Sequence, residues 1–302
     1  MLRHSAAFGD GVEHTVVVTG VGGPAGRAAA TWFGARGLRV VGTDVREVAG
    51  PFDRFRMVPP ALDPFYADAL LALVAEEDAA LLVPTVSEEL PIVAALQPAV
   101  HAKGCTLAMG AAPGVAIAGD KLRTAEALAA RGVAVPRTLP DSAPRASVAA
   151  ALGLPVLVKP RFGRGGRGVS VLQTLAEVEA AAPAGEVVWQ EFAPGVEFDV
   201  NLFVDRGGAV AAAVVLRKTA LRDGMTGNAA GVERVEHPAV RDEAVKAACV
   251  LELCGPLDVD VRLRRDGTPV VLEINARLGA NALAAPEVLE ALHAAWREGR
   301  CP

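Results

Sequence analysis

Aromatic residues and cysteines are scarce in this 302-residue chain, and both shortages exclude classes of protein. Aromatics make up 4% of the residues although hydrophobic residues reach 52%, so alanine and valine supply most of the apolar content. The four cysteines show no CxxC spacing and no nearby histidine pair, which argues against a zinc site or a disulfide framework. We expect free thiols in a reducing, cytoplasmic setting.

Long apolar runs and an excess of positive charge are also missing. The longest apolar runs, such as residues 209–216, fall far short of the roughly 18 residues that a membrane span needs. The N-terminal segment carries Asp10 and Glu13 and no apolar core of signal-peptide type. With 30 basic and 35 acidic residues, the net charge of −5 has the wrong sign for a nucleic-acid binder. We therefore expect no membrane span, no export and no nucleic-acid partner.

Strand and helix patterns alternate along the first third of the chain. A β-branched run at 15–19 precedes a glycine-rich turn and a helical segment at 27–36, and further strands at 38–42 and 80–84 flank an Ala/Leu-rich helix at 66–77. This alternation predicts a parallel, doubly wound sheet. Beyond a boundary near 110–113, the segments from residue 187 onward favour antiparallel strands, with a hairpin turn at 205–208.

The first glycine-rich turn, at 20–26, places Gly20, Gly23 and Gly26 in a G-x-x-G-x-x-G pattern, and Asp44 ends the next strand. That pattern is typical of dinucleotide-binding turns. A tight structural turn or a substrate-facing turn is the favoured explanation, because Pro24 suits the first position of any helix and needs no ligand to explain it. An NAD(P)-dependent oxidoreductase therefore stays open as an alternative.

A second glycine-rich loop follows a lysine at the end of an apolar strand. Lys159 follows residues 156–158, and four glycines come within the next nine residues: Gly163, Gly165, Gly166 and Gly168. A buried ammonium needs an anion, and glycine N–H groups can surround phosphate oxygens. Because the lysine precedes the glycines and a strand follows them, the pattern indicates a flexible hairpin lid. A solvated basic turn is the alternative.

Two half-buried strands with period-two alternation, 257–263 and 271–277, flank the turn dipeptide Asp266-Gly267. Centring a hairpin there places Asp260 opposite Glu273 and Asp258 opposite Asn275. Opposed carboxylates repel, and Mg²⁺ bound by oxygen ligands would relieve the repulsion. Arginine counterions, or an acid/base pair for glycoside cleavage, are the alternatives.

Taken in order, these motifs resemble the ATP-grasp superfamily, above all short single-module relatives of the carbamoyl-phosphate synthase large subunit. The resemblance covers residues 15–280. The motifs are Asp120-Lys121, Val158-Lys159-Pro160, the glycine loop, Gln190-Glu191-Phe192 with Glu197, and Asp260 with Glu273-Ile274-Asn275-Ala276-Arg277. The resemblance implies an α/β fold in which a Rossmann-like parallel-sheet domain (1–112) precedes an α+β ATP-grasp domain of two subdomains. The small subdomain (113–188) would carry the lid, and the large one (189–302) the metal site.

The resemblance also implies a role for each motif. Lys121 and Lys159 would hold nucleotide phosphates under the lid, and Arg277 would face the transferring phosphoryl group. The adenosine contacts would come from Gln190, Glu191, Phe192 and Glu197, and the ligands of Mg²⁺ or Mn²⁺ would be Asp260, Glu273 and Asn275. Ala276 departs from the proline of many members.

The activity implied is an ATP-dependent ligase that forms an amide or peptide bond through an acyl phosphate and releases ADP and phosphate. Its substrates would be a small carboxylate, an amino acid being the first choice, and an amine, and a homodimer fits such a protein. A non-catalytic nucleotide-binding module is a further alternative. Substrate groups would come from 20–26, from 85–89 or from 217–231. The other interpretations of the last two segments are a helix cap at Ser87 and a mobile surface loop.

Overall fold

The computed structural model describes residues 14–183, 185–223 and 226–302. The expectation drawn from the first residues of the chain, that no signal segment is present, lies outside this part. Among the described residues, no helix has the length and apolar character needed to cross a bilayer.

The first sheet is parallel and has five strands. Its elements are β1 (Thr15–Val18), α1 (Pro24–Gly34), β2 (Arg39–Asp44), β3 (Arg54–Met57), α2 (Tyr66–Glu76), β4 (Ala79–Val83), α3 (Leu90–Ala95), α4 (Gln97–Ala102) and β5 (Thr106–Leu107), with a 3-10 turn at Ser87–Glu89. The strand order is β3-β2-β1-β4-β5, and every pairing is parallel. The predicted doubly wound sheet is confirmed, and the strand order reverses between β1 and β4.

Two helices lead from this sheet into a small antiparallel sheet. The elements are α5 (Ala112–Ala118), α6 (Lys121–Ala129), β6 (Thr138–Pro140), α7 (Arg145–Leu152), β7 (Val156–Pro160), β8 (Ser170–Leu172), α8 (Leu175–Ala180) and β9 (Val187–Glu191). The sheet order is β6-β9-β7-β8. Since β7 and β8 are antiparallel neighbours, the glycine loop between them is a hairpin connection, as its sequence predicts.

The third sheet is antiparallel and fills most of the C-terminal part. Its elements are β10 (Glu197–Val204), β11 (Val210–Asp223), β12 (Thr226–Arg234), α9 (Pro238–Val250), β13 (Gly255–Leu263), β14 (Pro269–Asn275) and α10 (Pro286–Arg297), with a 3-10 turn at Ala282–Ala284. The order is β12-β11-β10-β13-β14. The predicted hairpin at 205–208 joins β10 to β11. Residues 217–223 belong to β11 and residues 226–231 to β12, so the interpretation of these residues as a mobile surface loop is wrong.

Buried side chains from the first and third sheets share common cores. Val16 and Val18 of β1 and Phe33 of α1 belong to the same apolar cluster as Leu289 and Trp296 of α10. The helix that closes the chain therefore packs against the first module. The domain boundaries at 112 and 188 stay predictions, and β9 has residues on both sides of 188.

The β13–β14 hairpin reaches the predicted pairing by an unexpected route. Asp260 lies opposite Glu273 and Asp258 opposite Asn275, as the turn arithmetic predicts. Near the turn, however, the register is one residue different, because Leu263 pairs with Pro269. An irregularity after Asp260 restores the expected register, as one extra residue in one strand does at a β-bulge. The two carboxylates thus share one face of the sheet.

Candidate active site

A cleft separates the small sheet from one face of the third sheet, and most of the predicted site residues line it. Its walls come from β7 and the following loop, β9, the first residue of α6, and strands β10 to β14. The charged and glycine residues that line it are Lys121, Lys159, Gly163, Arg164, Gly165, Gly166, Arg167, Glu197, Lys218, Gly227, Asp260, Arg262 and Glu273, and Gln190 also lines it.

Strand periodicity explains why so many polar groups meet at this face. Side chains two residues apart point to the same side of a strand. On β10, Glu197, Asp199 and Asn201 therefore share a face with Phe203, and the cross-strand pairs place Asp260 beside Asp199. Phe203 belongs to the apolar cluster beneath α10. This face of β10 is therefore packed at its Phe203 end and polar at its Glu197 end.

Lys121 is positioned by the start of α6. Asp120 caps this helix by accepting hydrogen bonds from the N–H groups of Leu122 and Arg123 at 3.0 and 3.2 Å. Arg161, just beyond Lys159, donates to both oxygens of Asp120 at 2.9 and 2.7 Å. The Lys121 ammonium lies 3.4 Å from Glu273. The sequence motif thus ties the helix start, the lid strand and the carboxylate pair together.

Lys159 is the most deeply buried cation of the cleft, at 6% exposure. Burial lowers the pKa of its ammonium to about 8, with Lys121 adding to the decrease and Glu273 opposing it. An anion entering the cleft would raise that pKa, because an opposite charge favours the ionised form. The lysine is placed as its sequence context predicts, at the end of an apolar strand.

Lys218 is a site residue whose position the sequence did not reveal. Its ammonium donates to Glu197 and to Asp260, each at 2.6 Å, and these carboxylates raise its pKa against the effect of burial. The available signal was the period-two continuation of the buried Val214 and Leu216 on β11. Taking the segment for a loop hid that signal.

The opposed carboxylates have pKa values that move in opposite directions. Burial raises the pKa of Asp260; Lys218 opposes the rise, and neighbouring carboxylates add to it. Burial would also raise the pKa of Glu273, but Lys121, Lys159 and Lys218 outweigh it and lower that pKa. Glu273 is therefore the fully ionised member of the pair.

The predicted adenine-binding segment is split between two faces of β9. Gln190 is buried in the cleft wall and donates to Thr138 at 2.9 Å, while its Oε1 has no partner among the described residues. The Glu191 carboxylate lies outside the cleft lining and accepts from Arg137 and Arg264, both at 3.3 Å. The Phe192 ring lies 5.1 Å from the Arg262 guanidinium carbon.

The glycine lid lies across the cleft. Gly163, Gly165, Gly166 and Gly168 all have positive φ, which glycine adopts without the steric cost that other residues meet. The Lys121 ammonium donates to the Gly163 carbonyl at 2.8 Å, and Arg164 pairs with Glu88 of the first module at 2.7 Å. The first three of these glycines line the cleft and Gly168 does not.

Arg277 and Asn275 lie beside the cleft in a second polar cluster. Arg277 donates to Asp258 at 3.0 Å and to the Ser87 hydroxyl at 3.0 Å, and Asn275 donates to Asp258 at 3.5 Å. Asp199 is buried in the same cluster, and burial together with Asp258 raises its pKa. Neither Arg277 nor Asn275 lines the cleft.

The segment after β4 reaches this cluster, and the role predicted for Ser87 as a helix cap is wrong. The residue at the capping position of the 3-10 turn is Val86, not Ser87, and its side chain makes no capping hydrogen bond. The buried Glu89 carboxylate instead accepts from the N–H groups of Thr85 and Val86, each at 3.0 Å. Ser87 is therefore free to accept from Arg277.

Packing explains the first glycine turn. A Cβ on Gly26 would lie 2.4 Å from the Gly20 carbonyl oxygen, and a Cβ on Gly20 would lie 2.4 Å from the Val86 side chain. Asp44 accepts from the Gly22 N–H at 2.9 Å and from the Val45 N–H at 2.8 Å. The acid that would mark a ribose site in a dinucleotide fold is thus bonded to the turn itself.

The donor set at the carboxylate pair fits a hard cation. Asp260 and Glu273 supply oxygens on one face, which suits Mg²⁺; among the described residues, no cluster of three or more His, Cys, Asp or Glu side chains is arranged to hold a metal. Asn275 bonds Asp258 in this structure. Because six cations and three carboxylates line the cleft, it also suits a polyanion, in contrast to the chain's net charge of −5.

Solved structures share this architecture. Biotin carboxylase from Campylobacter jejuni superposes with a TM-score of 0.72 at 14% identity, over 94% of this chain and 71% of that chain. L-amino acid ligase from Bacillus licheniformis gives 0.67 at 20% identity, over 89% and 68%. N5-carboxyaminoimidazole ribonucleotide synthetase from Thermotoga maritima gives 0.65 at 20% identity, over 88% and 69%. At these identities the likeness shows the fold.

Sequence comparison assigns the family. No curated protein matches the chain. A family model described as an ATP-grasp domain matches residues 118–281, more than half of the chain. This range includes both lysines, the lid, the carboxylate pair and Arg277. The chain therefore belongs to the ATP-grasp family, as its ordered motifs predict.

Proposed function

We propose that this protein is an ATP-dependent carboxylate–amine ligase that forms an amide or peptide bond and releases ADP and phosphate. One observation carries the proposal. The cleft combines an excess of cationic side chains with a pair of opposed carboxylates, Asp260 and Glu273. Phosphates account for the cations, and a divalent cation accounts for the carboxylates.

The bound nucleotide would use the described side chains as follows. Lys121 and Lys159 would hold its phosphates. The Oε1 of Gln190, which has no partner among the described residues, would accept from an amino group such as that of adenine, beside the backbone of Glu191 and Phe192. Lys218 holds one carboxylate oxygen of Glu197 in the cleft wall. The second oxygen of Glu197 would accept a hydrogen bond from a ribose hydroxyl.

Mg²⁺, which Mn²⁺ could replace, would be held by Asp260 and Glu273, with Asn275 as a third oxygen ligand, and would supply charge neutralisation for the phosphates. The remaining work belongs to the chain. Lys159 and Arg277 stabilise the negative charge that moves with the γ-phosphoryl group as it reaches the substrate carboxylate. The lid excludes water, so that an amine captures the acyl phosphate before water does.

The substrates are a small carboxylate, with an amino acid as the first choice, and an amine. The Ser87–Arg277 contact brings the carboxyl end of β4 to the polar cluster beside the cleft, and ligands of open α/β sheets bind at such strand ends. A cytoplasmic setting and a homodimer fit this proposal.

The direct test is ADP release with Mg²⁺-ATP and pooled amino acids. Release that needs both a carboxylate and an amine supports the proposal. Nucleotide binding without any release, across pools of amino and other small acids, supports a non-catalytic module instead. Turnover of a nicotinamide nucleotide would support the oxidoreductase alternative at the first glycine turn.

A further inference from the structure

Glu88 joins the first module to the lid by an ion pair. It lies in the 3-10 turn that follows β4, and its carboxylate accepts from Arg164 Nε at 2.7 Å. Both side chains are 39% exposed. No other ion pair joins the lid to the first sheet among the described residues. Arg164 itself lines the cleft. The ion pair therefore links a cleft residue of the lid to the first module.

The turn that carries Glu88 is held from below. The buried carboxylate of the next residue, Glu89, accepts from Thr85 and Val86 N–H groups and from the Thr19 and Tyr66 hydroxyls. These bonds fix the turn to β1 and α2. The preceding residue, Ser87, accepts from Arg277. Two adjacent side chains of one fixed turn thus contact the lid and the arginine beside the cleft.

The lid has few other means of staying closed. Its four glycines carry no side chains to pack and gain conformational freedom when the lid opens. At one end, the Gly163 carbonyl is held by Lys121. Arg164, the next residue, pairs with Glu88 of the first module. The Arg164–Glu88 pair therefore holds the lid next to its glycines, whose backbone is the most flexible part of the loop.

We propose that Glu88 is a positioning residue that holds the glycine lid closed through Arg164 and so links the first module to exclusion of water from the cleft. Its position rests on the structure alone, whereas its effect on catalysis rests on the proposed ligase function. The two parts are tested by separate measurements.

Lid opening is measured by trypsin cleavage after Arg167, identified by mass spectrometry, with no nucleotide present. Cleavage of a transiently opened segment reports the open population when reclosing is fast. Because an exposed ion pair is weak, Glu88→Gln is expected to accelerate cleavage about two- to fivefold. The matched control is Glu287→Gln, which removes an exposed pair with Arg234 outside the cleft lining and is expected to leave the rate unchanged.

A charge exchange separates the specific pair from a general effect of the turn. The double variant Glu88→Arg with Arg164→Glu is expected to return cleavage after Arg167 to the wild-type rate, whereas Glu88→Arg alone is expected to exceed Glu88→Gln. Equal rates in wild type and Glu88→Gln, slower cleavage in Glu88→Gln, or no recovery in the double variant would each overturn the proposal.

The catalytic part is tested by the ratio of ADP released to amide formed. In Glu88→Gln this ratio is expected to rise about two- to fivefold, since an open lid admits water. An unchanged ratio overturns the catalytic link. Absence of ADP release in the wild type would instead contradict the ligase function and leave the trypsin result standing.

Discussion

Asp260 and Glu273 face each other across neighbouring strands, and lysines separate their roles. Lys218 bridges Asp260 to Glu197, whereas Lys121 approaches Glu273. Burial raises the pKa of Asp260 although Lys218 opposes the rise, whereas Lys121, Lys159 and Lys218 lower the pKa of Glu273 against the effect of burial. A pair that repels in isolation is therefore stable in the free protein, and it offers oxygen ligands to an incoming cation.

Glu273→Ala is expected to separate metal-dependent from metal-free nucleotide binding. Loss of one ligand should weaken binding of Mg²⁺-ADP roughly tenfold or more. Binding of ADP without Mg²⁺ should stay equal or become tighter, because Lys121 and Lys159 lose a neutralising neighbour. Titration calorimetry with and without Mg²⁺ measures both.

The control for that experiment is Glu233→Ala, which removes an exposed carboxylate paired with Arg217 outside the cleft. Neither affinity should change in it. Equal losses with and without Mg²⁺ in Glu273→Ala would contradict the assignment of a metal ligand.

Nucleotide binding is expected to take up protons above about pH 8. The ammonium of free Lys159 has a pKa lowered to about 8, so the neutral form grows above that pH, and phosphate favours the charged form. Near pH 9 binding should draw close to one proton from the buffer, and the affinity should fall as pH rises further. Calorimetry in two buffers of different ionisation enthalpy measures the uptake.

Lys159→Met should bind nucleotide weakly and without this uptake. The wild type at pH 7 should show no uptake, because the ammonium is already charged. Identical heats in both buffers at pH 9 would be incompatible with a lysine of lowered pKa at the phosphates.

Glu89→Gln is expected to flatten the pH dependence of stability above pH 5. Burial raises the pKa of Glu89, although the Thr19 and Tyr66 hydroxyls oppose the rise. The folded state therefore keeps this proton at pH values where the unfolded chain, with a pKa near 4.3, has lost it. Stability falls as pH rises through that window, by up to about 1.4 kcal/mol per pH unit, and glutamine removes the titration.

Glu77→Gln provides the control of opposite sign. Arg39, Arg54 and Arg56 lower the pKa of the buried Glu77, although burial opposes them. Its contribution is present above the unfolded pKa and is lost as pH falls, so glutamine should flatten the acid side instead. Urea unfolding from pH 3 to 9 measures both variants, and the same slope in Glu89→Gln as in wild type would contradict the prediction.

Gly26→Ala is expected to destabilise the fold by about 1–3 kcal/mol, because the added Cβ meets backbone atoms that cannot move aside. Three such atoms lie within 2.8 Å, in Thr19 and Gly20. Gly23→Ala should cost less, since its Cβ would approach only the Gly20 carbonyl, at 3.3 Å. Thermal unfolding compares them, and equal stability of Gly26→Ala and wild type would reject the packing explanation.

Local sequence patterns predicted the sheets and the carboxylate pair because those features depend on short-range rules. Alternation in β13 and β14 with the Asp266-Gly267 turn was enough to place Asp260 opposite Glu273. The pairing succeeded even though the register near the turn differed, because the irregularity lies between the turn and the carboxylates.

Lys218 and Ser87 could not be placed from the sequence because their roles depend on distant partners. Lys218 meets Glu197 and Asp260 from a strand interrupted by register shifts, which obscured its alternation. Ser87 meets Arg277, 190 residues later, and only the packing of the first module against the third sheet creates that contact. Local sequence patterns do not show which residues so far apart in the chain come into contact.

The most direct measurement is calorimetric titration of the purified protein with Mg²⁺-ADP and, separately, with NAD. Saturable binding of Mg²⁺-ADP that Lys159→Met weakens at least about tenfold, with no binding of NAD, is the predicted result. Binding of NAD alone, or Mg²⁺-ADP affinity that is unchanged in Lys159→Met, would contradict the central claim that this cleft holds the nucleotide.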